Sequence, residues 1–127
     1  MPRSVCVDFD PRSIHDISGS HLGNLFNPDN LICNENGQGM KGYMWSDMIG
    51  SQNNYATGFF TEGAEICDEI MDQIRRECER CDCLQGIQFV HALAGGTGSG
   101  LGTLLTNQVT DREPCELLSS NFNRILW

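Results

Sequence analysis

One heptapeptide constrains this chain more than any other feature. Ala94-Gly95-Gly96-Thr97-Gly98-Ser99-Gly100 lies between the apolar run 86–93 (GIQFVHAL) and the helix-forming stretch 101–109. The run is apolar enough for a strand in the middle of a sheet. A strand, a glycine loop and a helix in that order point to α/β architecture. Glycines permit positive φ and let the backbone come close to a ligand. The N–H groups that open the following helix point outward, and the helix dipole favours an anion there. Thr97 and Ser99 add hydroxyl donors. Such a loop sits at the carboxyl end of its strand, where open α/β sheets bind ligands. A tight strand-to-helix turn without a ligand is the alternative. Two commoner phosphate motifs are excluded: no lysine follows the loop, as a P-loop requires, and the glycine spacing does not fit G-x-G-x-x-G.

The rest of the chain supports a mainly parallel sheet. Residues 4–8 (SVCVD) read as a short buried strand closed by Pro11, and residues 12–17 as a short helix stopped at Gly19. Residues 19–54 have loop composition, with a turn at Pro28-Asp29. Residues 61–80 form the clearest helix. Ile66, Ile70, Ile74 and Cys78 recur every four residues, with Cys67 and Met71 beside them, making one apolar stripe. Thr61 is the expected N-cap. Glu62 and Glu65 lie at the positive end of the dipole; Arg75, Arg76 and Arg80 lie at the negative end. Asp8 and Asp10 end the first strand. Two carboxylates there can hold Mg2+ through water, with phosphate oxygens completing the shell. Solvated turn acids are the other reading, and taken alone it is the stronger.

The chain has 127 residues, enough for one domain, and a net charge of −9 with Lys41 as its single lysine. Nucleic-acid binding needs clustered basic residues, so that class of partner is excluded. A small phosphorylated ligand is not, because backbone N–H groups and a metal ion hold phosphate without basic side chains. No apolar run is long enough for a membrane span, and residues 1–10 lack the apolar core of a signal peptide. The 7 cysteines, an odd number without such a leader, fit a reducing compartment. Cys78, Cys81 and Cys83 invite a zinc or redox reading, but no second pair follows to complete four ligands.

The loop AGGTGSG resembles the phosphate-binding signature of the tubulin/FtsZ family, and four further segments agree in order. These are Val7-Asp8-Phe9-Asp10-Pro11, Asn27-Pro28-Asp29-Asn30, Thr61-Glu62-Gly63-Ala64-Glu65 and Cys81-Asp82-Cys83-Leu84-Gln85-Gly86. The last is similar to β-tubulin. The resemblance runs from about Arg3 to Gln108 and implies part of a doubly wound, Rossmann-like GTP-binding domain over residues 1–109. It implies GTP and Mg2+ as ligands, with Gly95, Gly96, Thr97 and Gly98 on the phosphates and Asp8 and Asp10 toward Mg2+. Ser51 and Asn53 match the loop that senses the γ-phosphate. It further implies other tubulin subunits as partners, in an αβ-type heterodimer and a microtubule, and a place in the cytoplasmic cytoskeleton. Cys81 and Cys83 belong to the family pattern and then need no metal.

The departures from the family are specific. Gln52 stands where the family has glycine, Ala92 where it usually has serine, and Asp10 where it usually has glutamate. Residues 34–49 read as an inserted loop, and residues 110–127 as a tail that leaves the pattern. The family's first strand, first phosphate loop and first helix are expected to precede Met1. Its base contacts and second domain are expected to follow Trp127. The acids that hydrolyse GTP belong to that later part and act on a neighbouring subunit's nucleotide. No catalytic residue is therefore expected within this chain. The alternative to a GTP-binding cytoskeletal subunit is a tubulin-derived remnant that binds no nucleotide on its own.

Overall fold

A computed structural model describes residues 2–34 and 52–112. Strands β1 (Cys6–Asp8) and β2 (Leu31–Cys33) pair in parallel, with Cys6 opposite Leu31, Val7 opposite Ile32 and Asp8 opposite Cys33. Parallel pairing demands a crossover. Helix α1 (Pro11–Gly19) supplies it, with two 3-10 turns, Gly23–Leu25 and Pro28–Asn30. Pro11 is tolerated at the start of α1 because its missing N–H would have had no partner there. Helix α2 (Glu62–Glu79) and helix α3 (Gly102–Arg112) complete the regular elements.

One core joins them. Phe9 and Ile32 from the strand side meet Ile66, Cys67, Ile70 and Met71 of α2 and Leu101, Leu105 and Val109 around α3. Ile74 packs against this core from the partly buried rim. The stripe expected on α2 is thus the face that packs. Gln73 is also buried on α2, and its burial has a physical reason. Its Nε2 donates to Asn30 Oδ1 at 2.7 Å, and Asn30 Nδ2 donates to Glu77 Oε1 at 3.1 Å. Asn27 holds that turn in shape by accepting from the Asp29 N–H at 3.2 Å. The Asn27-Pro28-Asp29-Asn30 segment therefore works as a cap and a polar anchor to α2.

Two expectations are corrected. Thr61 makes no side-chain capping bond, because the helical path begins earlier, in a π-helical turn over Thr57–Thr61. Asn54 is the cap in fact: its Oδ1 accepts from the Ala56 N–H at 3.0 Å and its carbonyl accepts from the Gly58 N–H at 3.1 Å. The second correction concerns the strand expected over 86–93. Among the described residues this segment joins no ladder, and the sheet holds β1 and β2 only. Ile87 and Phe89 turn to the core while Val90 is 77% exposed. That alternation is strand-like, but a strand is defined by partners that its own sequence cannot supply. Residues 35–49 of the inserted loop expected over 34–49, and most of the tail expected over 110–127, lie outside the described residues.

Candidate functional site

The glycine loop enters α3 through a π-helical turn, Thr97–Leu101, that mirrors the turn before α2. The two turns touch backbone to backbone. A Cβ on Gly100 would lie 2.6 Å from the Tyr55 carbonyl oxygen and 2.7 Å from the Gly58 carbonyl carbon. Only glycine fits this crossing. Earlier in the loop Gly95 has φ +90, a conformation that L side chains rarely adopt. Ser99 Oγ donates back to the Gly95 carbonyl, and the Gly100 N–H donates to the Gly96 carbonyl at 2.8 Å. Ser99 thus closes the loop on itself.

His91 holds the loop from the segment before it, and sequence reasoning missed it. Its Nδ1 lies 2.7 Å from the Gly98 carbonyl oxygen and 3.3 Å from the Ala92 carbonyl oxygen. Both partners only accept, so Nδ1 carries the hydrogen. The ring also fills the space beside Gly102. The one signal in the sequence was a polar ring just before the glycine loop, in a mainly apolar run.

Two segments distant in sequence converge on the loop. Asp8, at the end of β1, accepts on Oδ1 from Thr97 Oγ1 at 3.5 Å and from the Asp10 N–H at 3.3 Å. Asn53 places Oδ1 next to Gly95, 3.6 Å from where a Cβ there would stand. Gln52 and Asn53 both have positive φ, 49 and 58. Asn tolerates this region; Gln carries a steric penalty there. The structure therefore brings together Asp8, Asn53, Gly95 and Thr97, with Gly96 and Gly98 in the same turn. Ser51 lies outside the described residues.

Asp10 is placed differently. It caps α1, accepting from the Arg12 N–H at 2.9 Å. The Arg12 guanidinium closes on the same carboxylate, Nε at 3.0 Å from Oδ1 and Nη2 at 2.8 Å from Oδ2. Arg12 side-chain and backbone hydrogen bonds hold the Asp10 carboxyl below its ordinary range. A divalent cation of the Mg2+ type takes oxygen ligands, often one or two carboxylates beside phosphate oxygens. Asp8 fits that requirement. Asp10, with both oxygens in the arginine fork, does not.

The cysteines are placed by packing and local bonds. Cys81 Sγ accepts from Arg3 Nη1 at 3.1 Å and donates to the Glu77 carbonyl at 3.3 Å. Cys6 lies in β1, and burial pushes its thiol above the ordinary range. Among the described residues no group of three or more His, Cys, Asp or Glu side chains is placed to hold a metal ion.

Comparison with known proteins decides the family. The family model of the tubulin/FtsZ GTPase domain matches residues 1–122. The chain belongs to the tubulin/FtsZ family. It is 43% identical to the tubulin beta-6 chain of Gallus gallus over 120 residues, 94% of this chain and 24% of that relative. It is 46% identical to the tubulin beta-1 chain of Mus musculus over the same shares. It is 45% identical to the tubulin beta chain of Bombyx mori over 114 residues, 90% of this chain and 22% of the relative. The chain thus spans about a quarter of the length of these relatives. The α/β fold with its parallel strands is part of the tubulin/FtsZ GTPase domain. No described helix is long and apolar enough to cross a membrane.

Proposed function

We propose that this chain carries the phosphate-holding part of a tubulin β-like, GTP-binding subunit of the microtubule cytoskeleton. One observation carries the reading: Asp8, Asn53 and Thr97 converge on a glycine turn at the start of a helix. In this reading the N–H groups of residues 95–98 and the Thr97 hydroxyl bind phosphate oxygens. Ser51 and Asn53 lie toward the γ-phosphate, and Asp8 faces Mg2+. When bound, the cation offsets part of the phosphate charge, beside the backbone N–H groups. Partners are other tubulin subunits in an αβ-type heterodimer, and the place of action is the cytoplasmic microtubule. The residues that hydrolyse GTP are not among those assigned here.

Titration of a fluorescent GTP analogue with Mg2+ tests this. Binding that is lost in Gly98→Val supports it, since a side chain at Gly98 would strike the Ala92 carbonyl. No binding at millimolar nucleotide rejects it. A second reading has its own observation. Val90 and Leu93, 77% and 63% exposed on a segment without a ladder partner among the described residues, favour a tubulin-derived remnant that binds no nucleotide by itself. A cooperative thermal transition in the isolated chain argues against that remnant.

A further inference from the structure

The acidic edge of the site is not a pair of equivalent carboxylates. Asp8 and Asp10 lie two residues apart, yet their surroundings differ in kind. Asp8 takes two long hydrogen bonds on a single oxygen, from Thr97 and from the Asp10 N–H. Among the described residues no hydrogen bond ends on its Oδ2. Asp10 has both oxygens taken by Arg12, through one backbone and three side-chain bonds between 2.8 and 3.2 Å. The Arg12–Asp10 fork is bidentate and charge-assisted, and it lies at the surface, with the Arg12 side chain 67% exposed. A cation that claimed Asp10 would have to displace it, and would meet the Arg12 charge on arrival.

We propose that Arg12 withdraws Asp10 from cation binding, so that a divalent cation at this site is held by Asp8 alone. The inference rests on the GTP-site reading above and sharpens it. Ligand charge count tunes cation affinity. An edge with one carboxylate outside an ion pair and one held by arginine therefore holds the cation weakly and leaves more of the phosphate charge to the glycine turn. Arg12 is the specificity-determining residue of this edge: it sets how far nucleotide capture depends on a divalent cation. Asp10 keeps its cap on α1 through the Arg12 backbone N–H, so the side chain of Arg12 can be removed without uncapping the helix.

The test uses the full chain with a fluorescent GTP analogue, and with Mn2+ as a cation visible by electron paramagnetic resonance. Asp8→Asn is expected to weaken Mn2+ binding to the nucleotide complex by about tenfold or more. Asp10→Asn is expected to leave it within about twofold, because Arg12 already takes both Asp10 oxygens in the parent chain. Arg12→Ala frees Asp10 and is expected to tighten Mn2+ several-fold. Arg12→Lys keeps the charge but not the fork, and falls between Arg12→Ala and the parent. If Asp10→Asn weakens Mn2+ as much as Asp8→Asn, or if Arg12→Ala leaves Mn2+ affinity unchanged, the proposal is overturned while the nucleotide site stands. If no variant and no parent chain binds nucleotide, both the site and the proposal fall.

Discussion

At the scale of single residues the site is built from side chains in unequal positions. Gln52 sits at φ 49, where an L residue with a long side chain pays about 1 kcal/mol or more in steric crowding. Gln52→Gly removes that crowding but adds chain entropy to the unfolded state. The net expectation is a gain of about 0.5 kcal/mol in urea unfolding, with tighter nucleotide binding because the backbone gains access. Asp10 gives a second prediction. Its carboxyl is held below the ordinary range by Arg12, so the folded state binds its proton less readily than the unfolded chain does. The stability this adds is fully present above the ordinary Asp range near pH 4 and is lost as pH falls through the lower, folded value. Asp10→Ala should cost about 1 kcal/mol at neutral pH, the usual value of an N-cap. Its stability curve should then be flatter than the parent's on the acid side, as acid-induced unfolding monitored by circular dichroism will show. His91 teaches a further point. Read along the run 86–93 it is one of two polar residues; its work becomes visible only when the Gly98 carbonyl is 2.7 Å away.

At the scale of elements, two helical entries cross through glycines. The turn before α2 and the turn before α3 share the Gly58–Gly100 contact. This crossing docks the loop against the N-terminal end of α2 and so fixes where the loop's N–H groups point. Gly100→Ala pushes a methyl group into backbone atoms that cannot rotate away. Overpacking of this kind typically costs about 1–3 kcal/mol, and the cost should appear as a lower thermal midpoint. Weaker nucleotide binding should accompany it, because the displaced atoms belong to the loop. The helix α2 was legible in the sequence because its stripe has a period of four over many residues. Its cap was not. Thr61 has the right chemistry, but tertiary packing of Gly58 and Gly63 extends the helical path backward to Asn54.

At the scale of the whole molecule the sheet is smaller than the sequence suggests. β1 and β2 pair, while the apolar run 86–93 has no ladder among the described residues. Unpaired strand-like segments with exposed apolar side chains recruit other chains. Val90→Lys places a charge on the exposed face at 77% exposure, away from Ile87 and Phe89 of the packed face. It should raise the soluble fraction and reduce light scattering, with a change in unfolding free energy of less than about 0.5 kcal/mol. Unchanged scattering would show that this segment is not what drives association. The net charge of −9 opposes association at low ionic strength, so the difference between the two chains should widen as salt screens that repulsion.

Local pattern alone determined the α/β class, the stripe of α2, the glycine loop and the family. Each depends on residue type and spacing over a few turns, which the chain carries wherever it is placed. The tertiary structure alone decided which groups meet. It brought Asp8 to Thr97 across 89 positions of sequence, set Asn53 beside Gly95, and gave His91 its hold on the loop. It also separated two aspartates that the sequence presents as a pair. The reason is physical: hydrogen bonds are made over about 3 Å, and a distance that short between remote residues exists only after the chain has packed. Spacing in sequence placed Asp8 and Asp10 together; the direction of each carboxylate, one toward the loop and one into the fork of Arg12, was settled by the fold.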